Sequence, residues 1–142
     1  MTVLPSTLMT ASAAVMVLLG VLHLFYTFIG NKLHPRDAEL RTRLEQGSPM
    51  ISRQTTMWKV WVGCNASHSY GLLLFGAVYG YLALLHGRFL FQSWFLLMLG
   101  LFFLAGFAFL AKHYWFRVPF RAILSAIVFY MGALVMAAFD LE

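Results

Sequence analysis

Charge is what this sequence has least of: Lys, Arg, Asp and Glu make up 11% of its 142 residues, against 61% hydrophobic residues and a mean hydropathy of +0.78. So little charge cannot cover the surface of a water-soluble domain of this length, so an ordinary cytosolic fold is excluded and the composition belongs in a lipid bilayer. Acids are the scarcer sign, 5 against 10 bases. They are Asp37, Glu39, Glu45, Asp140 and Glu142, and none lies inside an apolar run, so no intramembrane carboxylate pair is available for acid-base or di-iron chemistry. Cys64 is the only cysteine, which excludes an internal disulfide and a CxxC redox motif. The sequence also lacks a phosphate-cradling glycine loop, a nucleophile elbow, and the basic run interleaved with aromatics that would suggest nucleic acid as a partner.

What is present is long apolar sequence. Four runs reach the roughly 20 residues that one helical crossing needs: about 8–30, 57–85, 89–111 and 120–139. The first is too long for a signal-peptide core, and residues 1–7 carry no Lys or Arg, so it is expected to be retained. No internal repeat or low-complexity stretch is visible. The fold class expected is all-α: a polytopic membrane protein forming one domain over 1–142, with four transmembrane helices in an up-down bundle. The second and third connections are short enough to force neighbouring helices antiparallel.

The basic residues orient it. Lys32, Arg36, Arg41, Arg43, Arg53 and Lys59 surround the first connection, Lys112, Arg117 and Arg121 surround the third, and Arg88 alone lies on the other side. By the positive-inside rule the connections between helices 1 and 2 and between helices 3 and 4 are cytoplasmic and both termini periplasmic. Trp58, Trp61, Tyr81, Trp94 and the Tyr114-Trp115 pair stand where interfacial anchors are expected.

The first connection has helix grammar. Pro35 suits a first helical position, Asp37/Arg41 and Glu39/Arg43 are spaced i,i+4, Gly47 is placed to terminate, and Leu33, Leu40 and Leu44 form a narrow apolar edge. This predicts a short cytoplasmic helix at the membrane interface. Ser48 followed by Pro49 reads as an N-cap with proline at the first position, so that the second spanning helix starts before the bilayer, and Pro119 could start the fourth in the same way.

Ionisable groups at membrane depth cost roughly 2 to 3 kcal/mol when charged and usually face the bundle interior. Here they are His23 and His68. Counted from the cytoplasmic border at 1.5 Å per residue, their depths differ by roughly 3 Å. At about 100° per residue, the His23 face also carries Ser12, Met16, Gly20, Thr27 and Gly30. The His68 face carries Trp58, Trp61, Cys64, Asn65, Gly71, Phe75, Gly76 and Tyr79, with Val62, Ala66, Leu73, Leu74 and Ala77 behind. Gly76 and Gly80 form a small-xxx-small pair. His34, His86 and His113 sit at borders, where solvated or capping roles are expected.

The run Cys64-Asn65-Ala66-Ser67-His68-Ser69 is the densest polar constellation. One reading is an interhelical hydrogen-bond cluster, with His23 or Thr27 as partner to Asn65 and His68. The other is a pocket whose ligand- or partner-binding residues are His23, Thr27, Trp61, Asn65, His68 and Ser69. Haem b, with His23 and His68 as its ligands and Gly20 and Gly71 nearby to admit the porphyrin, is a sharper form of the second. A four-ligand zinc site is not available at matching depth, and four spans without broken helices make a poor lone transporter.

The segments Lys32-Leu33-His34-Pro35-Arg36-Asp37, Arg53-Gln54-Thr55-Thr56-Met57-Trp58, Asn65-Ala66-Ser67-His68-Ser69 and Tyr114-Trp115-Phe116-Arg117-Val118-Pro119-Phe120-Arg121 carry a resemblance. Across nearly the whole chain the sequence is similar to a family of small, four-span, uncharacterised bacterial inner-membrane proteins. The resemblance implies a bacterial inner (plasma) membrane location and offers no activity to carry over. The function expected is therefore a non-catalytic bundle that binds a lipid- or quinone-like molecule, or a membrane partner subunit or second copy, around the His/Asn/Ser interior. The alternative is a small redox protein or enzyme using the same histidines for haem or proton transfer.

Overall fold

The computed structural model describes residues 3–140, so Glu142 lies outside it. Among the described residues every regular element is helical: α1 (Val3–Phe28), α2 (Ala38–Gln46), α3 (Met57–Leu85), α4 (Gly87–Gln92), α5 (Trp94–Tyr114) and α6 (Arg117–Asp140). Four of them, α1, α3, α5 and α6, are long and apolar enough to cross a membrane. At 1.5 Å per residue the 26 residues of α1 span about 39 Å, more than a hydrocarbon core of roughly 30 Å, whereas the 21 of α5 nearly match it. The most apolar window of α3 has a mean hydropathy of 1.3 against 2.1 to 2.4 in the other three, a deficit that the polar run at 64–69 explains.

Several helix starts differ from the expected ones: α1 is already helical at Val3, α6 opens at Arg117 rather than at Pro119, and at three others a nearer side chain caps the backbone. Pro35 does not open α2; the Asp37 carboxylate accepts from the Glu39 N–H at 2.9 Å and starts the helix at Ala38. Asp37 is thereby committed as a cap, and Arg41 pairs with Glu45 at 2.9 Å, while Glu39 and Arg43 make the expected i,i+4 pair at 2.6 Å. Ser48-Pro49 does not begin α3. Residues 48–56 are irregular, and Thr56 caps instead, its hydroxyl accepting from the Lys59 N–H at 3.3 Å. The third span does not run on from residue 89: α4 ends at Gln92, and Ser93, extended at φ −93° and ψ 94°, accepts from Leu96 N–H to start α5 at Trp94. Gly47 terminates α2 as expected, with its N–H donating to Arg43 O at 2.8 Å.

The contacts divide the chain into two units, residues 1–19 with 72–142, and residues 20–71. In the first unit Met9, Ala13, Met16, Leu72, Phe75, Tyr79, Leu104, Ile123, Ala126 and Tyr130 are buried members of one core. Small residues let α1 and α3 approach here. A Cβ on Gly76 would overlap Val17 Cγ2 and lie 2.8 Å from Ala13 O, and one on Gly80 would lie 3.6 Å from Ala13 Cβ. Ser12, fully buried, donates to Ala126 O of α6 at 2.8 Å. Aromatic rings fill the rest. Phe75 stacks on Tyr79 at 4.4 Å and on Phe103 at 5.0 Å, and Phe103 stacks on Phe107 at 4.5 Å between centroids. Outward-facing side chains are apolar too, including Leu18, Leu74, Trp94, Phe95, Phe102, Val128 and Phe139. Such a surface suits hydrocarbon and would be an aggregation hazard in water.

Candidate functional site

The second unit, residues 20–71, contains all six residues singled out from the sequence. His23 and Thr27 lie on the last two turns of α1; Trp61, Asn65, His68 and Ser69 lie on the first half of α3. Asn65 organises the group. Its side-chain Nδ2 donates to Trp61 O one turn back at 2.8 Å, which turns Oδ1 towards His23, and His23 Nε2 lies 3.0 Å from that oxygen. An amide oxygen can only accept, so His23 Nε2 carries the hydrogen and donates. The rings of His23 and His68 meet at a centroid distance of 5.0 Å and an angle of 59°. Both rings are partly buried.

The hydroxyls behave differently from the imidazoles. Thr27 donates to His23 O at 2.7 Å, Ser69 to Asn65 O at 3.1 Å and Ser67 to Gly63 O at 2.8 Å, each one turn back on its own helix. Ser69 is fully buried, and Ser67 is exposed. Trp61 is 48% exposed and its indole N–H donates to Leu33 O at 3.3 Å, which ties α3 to the chain leaving α1. Cys64, expected on the inward face, is exposed instead. Four residues advance the helix by about 400°, so Cys64 sits some 40° to one side of His68, whereas Asn65, three residues before it, sits some 60° to the other side, the side that meets His23.

The chain matches no protein-family model, no curated protein and no solved structure.

The geometry thus gathers two imidazoles and one carboxamide from two membrane-span helices, with an indole one turn away. These groups can donate and accept hydrogen bonds to a polar head and can exchange a proton. Among the described residues no three His, Cys, Asp or Glu side chains come close enough to hold a metal ion. Toward the first connection, Arg41 donates to His34 Nδ1 at 2.6 Å and lies 5.2 Å from the Trp58 ring, against which His34 packs edge-on at 5.0 Å. His34, expected to be solvated, is therefore partly buried as part of an Arg-His-Trp cluster. The arginine is always charged and can only donate, so His34 accepts through Nδ1.

Two features of the first unit escaped the sequence reading. Tyr79 and Tyr130 donate to Leu96 O at 2.5 Å and Leu97 O at 2.8 Å, adjacent carbonyls in the first turn of α5, and Gly100 leaves room for them. A Cβ there would stand 2.5 Å from Tyr130 Oη and 2.7 Å from Tyr79 Cζ. A tyrosine in the middle of an apolar run was the available signal. A groove of about 450 Å³ also lies at the start of α1, lined by Ser6, Thr7, Thr10, Leu84, Leu85 and Arg88 among others. Arg88 is the only base between Lys59 and Lys112.

Proposed function

We propose that this chain is a non-catalytic multi-pass protein of a bacterial inner membrane, an up-down bundle in which His23, Asn65 and His68 hydrogen-bond the polar head of a lipid- or quinone-like molecule. In this reading both termini are periplasmic and α2 lies at the cytoplasmic interface, as the bias of Lys and Arg towards the first and third connections favours. One observation carries the proposal: two imidazoles in ring contact, one of them hydrogen-bonded to a carboxamide, stand partly buried on helices built for hydrocarbon. The nearby hydroxyls are turned into their own helices, so the two imidazoles and the Asn65 carboxamide are the groups of the cluster that reach from one helix to the other. Polar groups kept at membrane depth generally have a partner to recognise.

The test is lipid extraction and mass spectrometry of protein purified in mild detergent, for wild type and for His68→Ala and Asn65→Leu. An amphiphile retained by wild type and lost from folded variants supports the reading. Identical small-molecule content in all three refutes it, and loss of a co-purifying subunit instead of a small molecule assigns the cluster to a membrane partner.

The pairing of two histidine rings also supports a second reading, haem b ligated by His23 and His68. That arrangement asks for two changes. His23 must give up Asn65 or coordinate through Nδ1, and rings now in contact at 5.0 Å must part to admit the porphyrin between them. An absorption spectrum from the violet through the visible, before and after dithionite, tests it. A Soret band lost in His23→Ala or His68→Ala would make this a b-type cytochrome, and a featureless spectrum would refute the haem reading.

A further inference from the structure

Residues 47–57 form a closed loop with an apolar tip. The Met57 N–H donates to Gly47 O at 2.8 Å, joining the end of α2 to the start of α3. Within the loop the Ser52 N–H donates to Pro49 O at 3.2 Å, making a turn with Met50 and Ile51 as its central residues. Gln54 N–H donates to Ser52 Oγ at 3.1 Å and braces the descending side. Met50 and Ile51 are the most exposed large apolar side chains described, at 106% and 92%. Other exposed apolar residues of the chain lie mostly on span helices, where lipid covers them; this pair stands on a hydrogen-bonded turn between polar neighbours.

The connection that carries the tip is positively charged. Residues 29–61 hold six bases, Lys32, Arg36, Arg41, Arg43, Arg53 and Lys59, against Asp37, Glu39 and Glu45. Arg41 and Arg43 are paired to Glu45 and Glu39, and Asp37 caps α2, so the net positive charge falls to Lys32, Arg36, Arg53 and Lys59. An apolar tip with Arg53 two residues on, in a connection of net positive charge, matches the boundary of an anionic leaflet, where methyl groups enter the acyl region and bases reach phosphates. Two side chains are far too small a patch for a stable protein interface, which needs about 800 Å² from each partner.

We propose that the Pro49–Ser52 turn is a membrane-dipping wedge, with Met50 and Ile51 inserted at the headgroup boundary of an anionic leaflet. The turn fixes where the connection between α2 and α3 meets lipid, independently of what the histidine cluster binds.

The test uses Cys64→Ser chains carrying Met50→Cys or Gln54→Cys, each labelled with an environment-sensitive fluorophore and placed singly in nanodiscs of zwitterionic lipid, with and without an anionic lipid. Position 50 should emit further to the blue than position 54 and be quenched several-fold less by aqueous iodide, with the contrast growing when anionic lipid is present. Introducing Ile51→Asp should abolish the protection at position 50 while thermal unfolding is unchanged, since the side chain packs on nothing. Equal quenching at 50 and 54 in both lipids overturns the proposal. Protection that appears only when two copies share a disc also overturns it, in favour of self-association.

Discussion

The contact between His23 and Asn65 can be measured directly. Asn65→Leu keeps the branching of the asparagine side chain, with two larger methyl groups in place of the amide oxygen and nitrogen, and removes one bond between helices, His23 Nε2–H to Oδ1 at 3.0 Å. Its other bond, Nδ2 to Trp61 O, lies within α3, and that carbonyl is one turn from the Asn65 backbone N–H. Interhelical side-chain bonds in membranes average about 0.6 kcal/mol with a ceiling near 1.7. A donor left without a partner in a sealed site costs about 1 to 3 kcal/mol. The His23 ring is only partly buried, so the low end applies, and Asn65→Leu should destabilise by about 1 kcal/mol. His23→Phe should cost a similar amount, and the double variant scarcely more than either single one. The assay is reversible unfolding in mixed micelles of mild detergent and dodecyl sulfate, read as a double-mutant cycle. A coupling energy of about 0.6 to 1.7 kcal/mol is expected. Strictly additive effects, within roughly 0.3 kcal/mol, would show that the two side chains do not interact and would remove the basis of the site.

Two glycine substitutions should move stability in opposite directions: Gly76→Ala, with Ala13 O and Val17 in the way, should cost about 1 to 3 kcal/mol, whereas Gly63→Ala meets nothing within 4 Å and should gain up to about 1 kcal/mol. The same unfolding assay checks both, and equal signs would refute the close approach of α1 and α3. Tyr130→Phe should lose about 1 kcal/mol, because it deletes one buried bond to Leu97 O without changing the packing of the ring. Thr27→Ala should change stability by less than about 0.5 kcal/mol and leave ligand retention intact, since its hydroxyl is turned to His23 O; a loss of retention would place Thr27 in direct contact with the ligand.

The spans were legible because hydrocarbon demands long apolar helices, and a helix that meets protein on one side differs in composition around its axis. Ser12, Met16 and Gly20 on α1, and Phe75, Gly76 and Tyr79 on α3, are buried as their phase required. The same rule ranked Gly30, Trp61 and Cys64 with them, and these are exposed: phase names a face but not how far round or along the helix a neighbour reaches. The Asn65–His23 bond was within reach because both residues were rare polar groups at matching depth. Tyr79 and Tyr130 were not read as a pair, since each meets a backbone carbonyl of α5, and carbonyls carry no sequence signature. Helix starts were missed for a related reason. The expected starts rest on proline at residues 35 and 49 and on the onset of apolar sequence at 89, whereas Asp37, Thr56 and Ser93 supply the oxygens that the first turns need.

Every group of the histidine cluster comes from residues 20–71, on the end of α1 and the beginning of α3. A chain is synthesised from its N-terminus, and early segments can begin to assemble while later ones are still being made. The ribosome has therefore completed all six candidate residues before it reaches Trp94, the first residue of α5. The time order of synthesis thus separates the polar cluster from the aromatic core: Phe103, Phe107 and Tyr130 are made only after His68 already has His23 and Asn65 to meet.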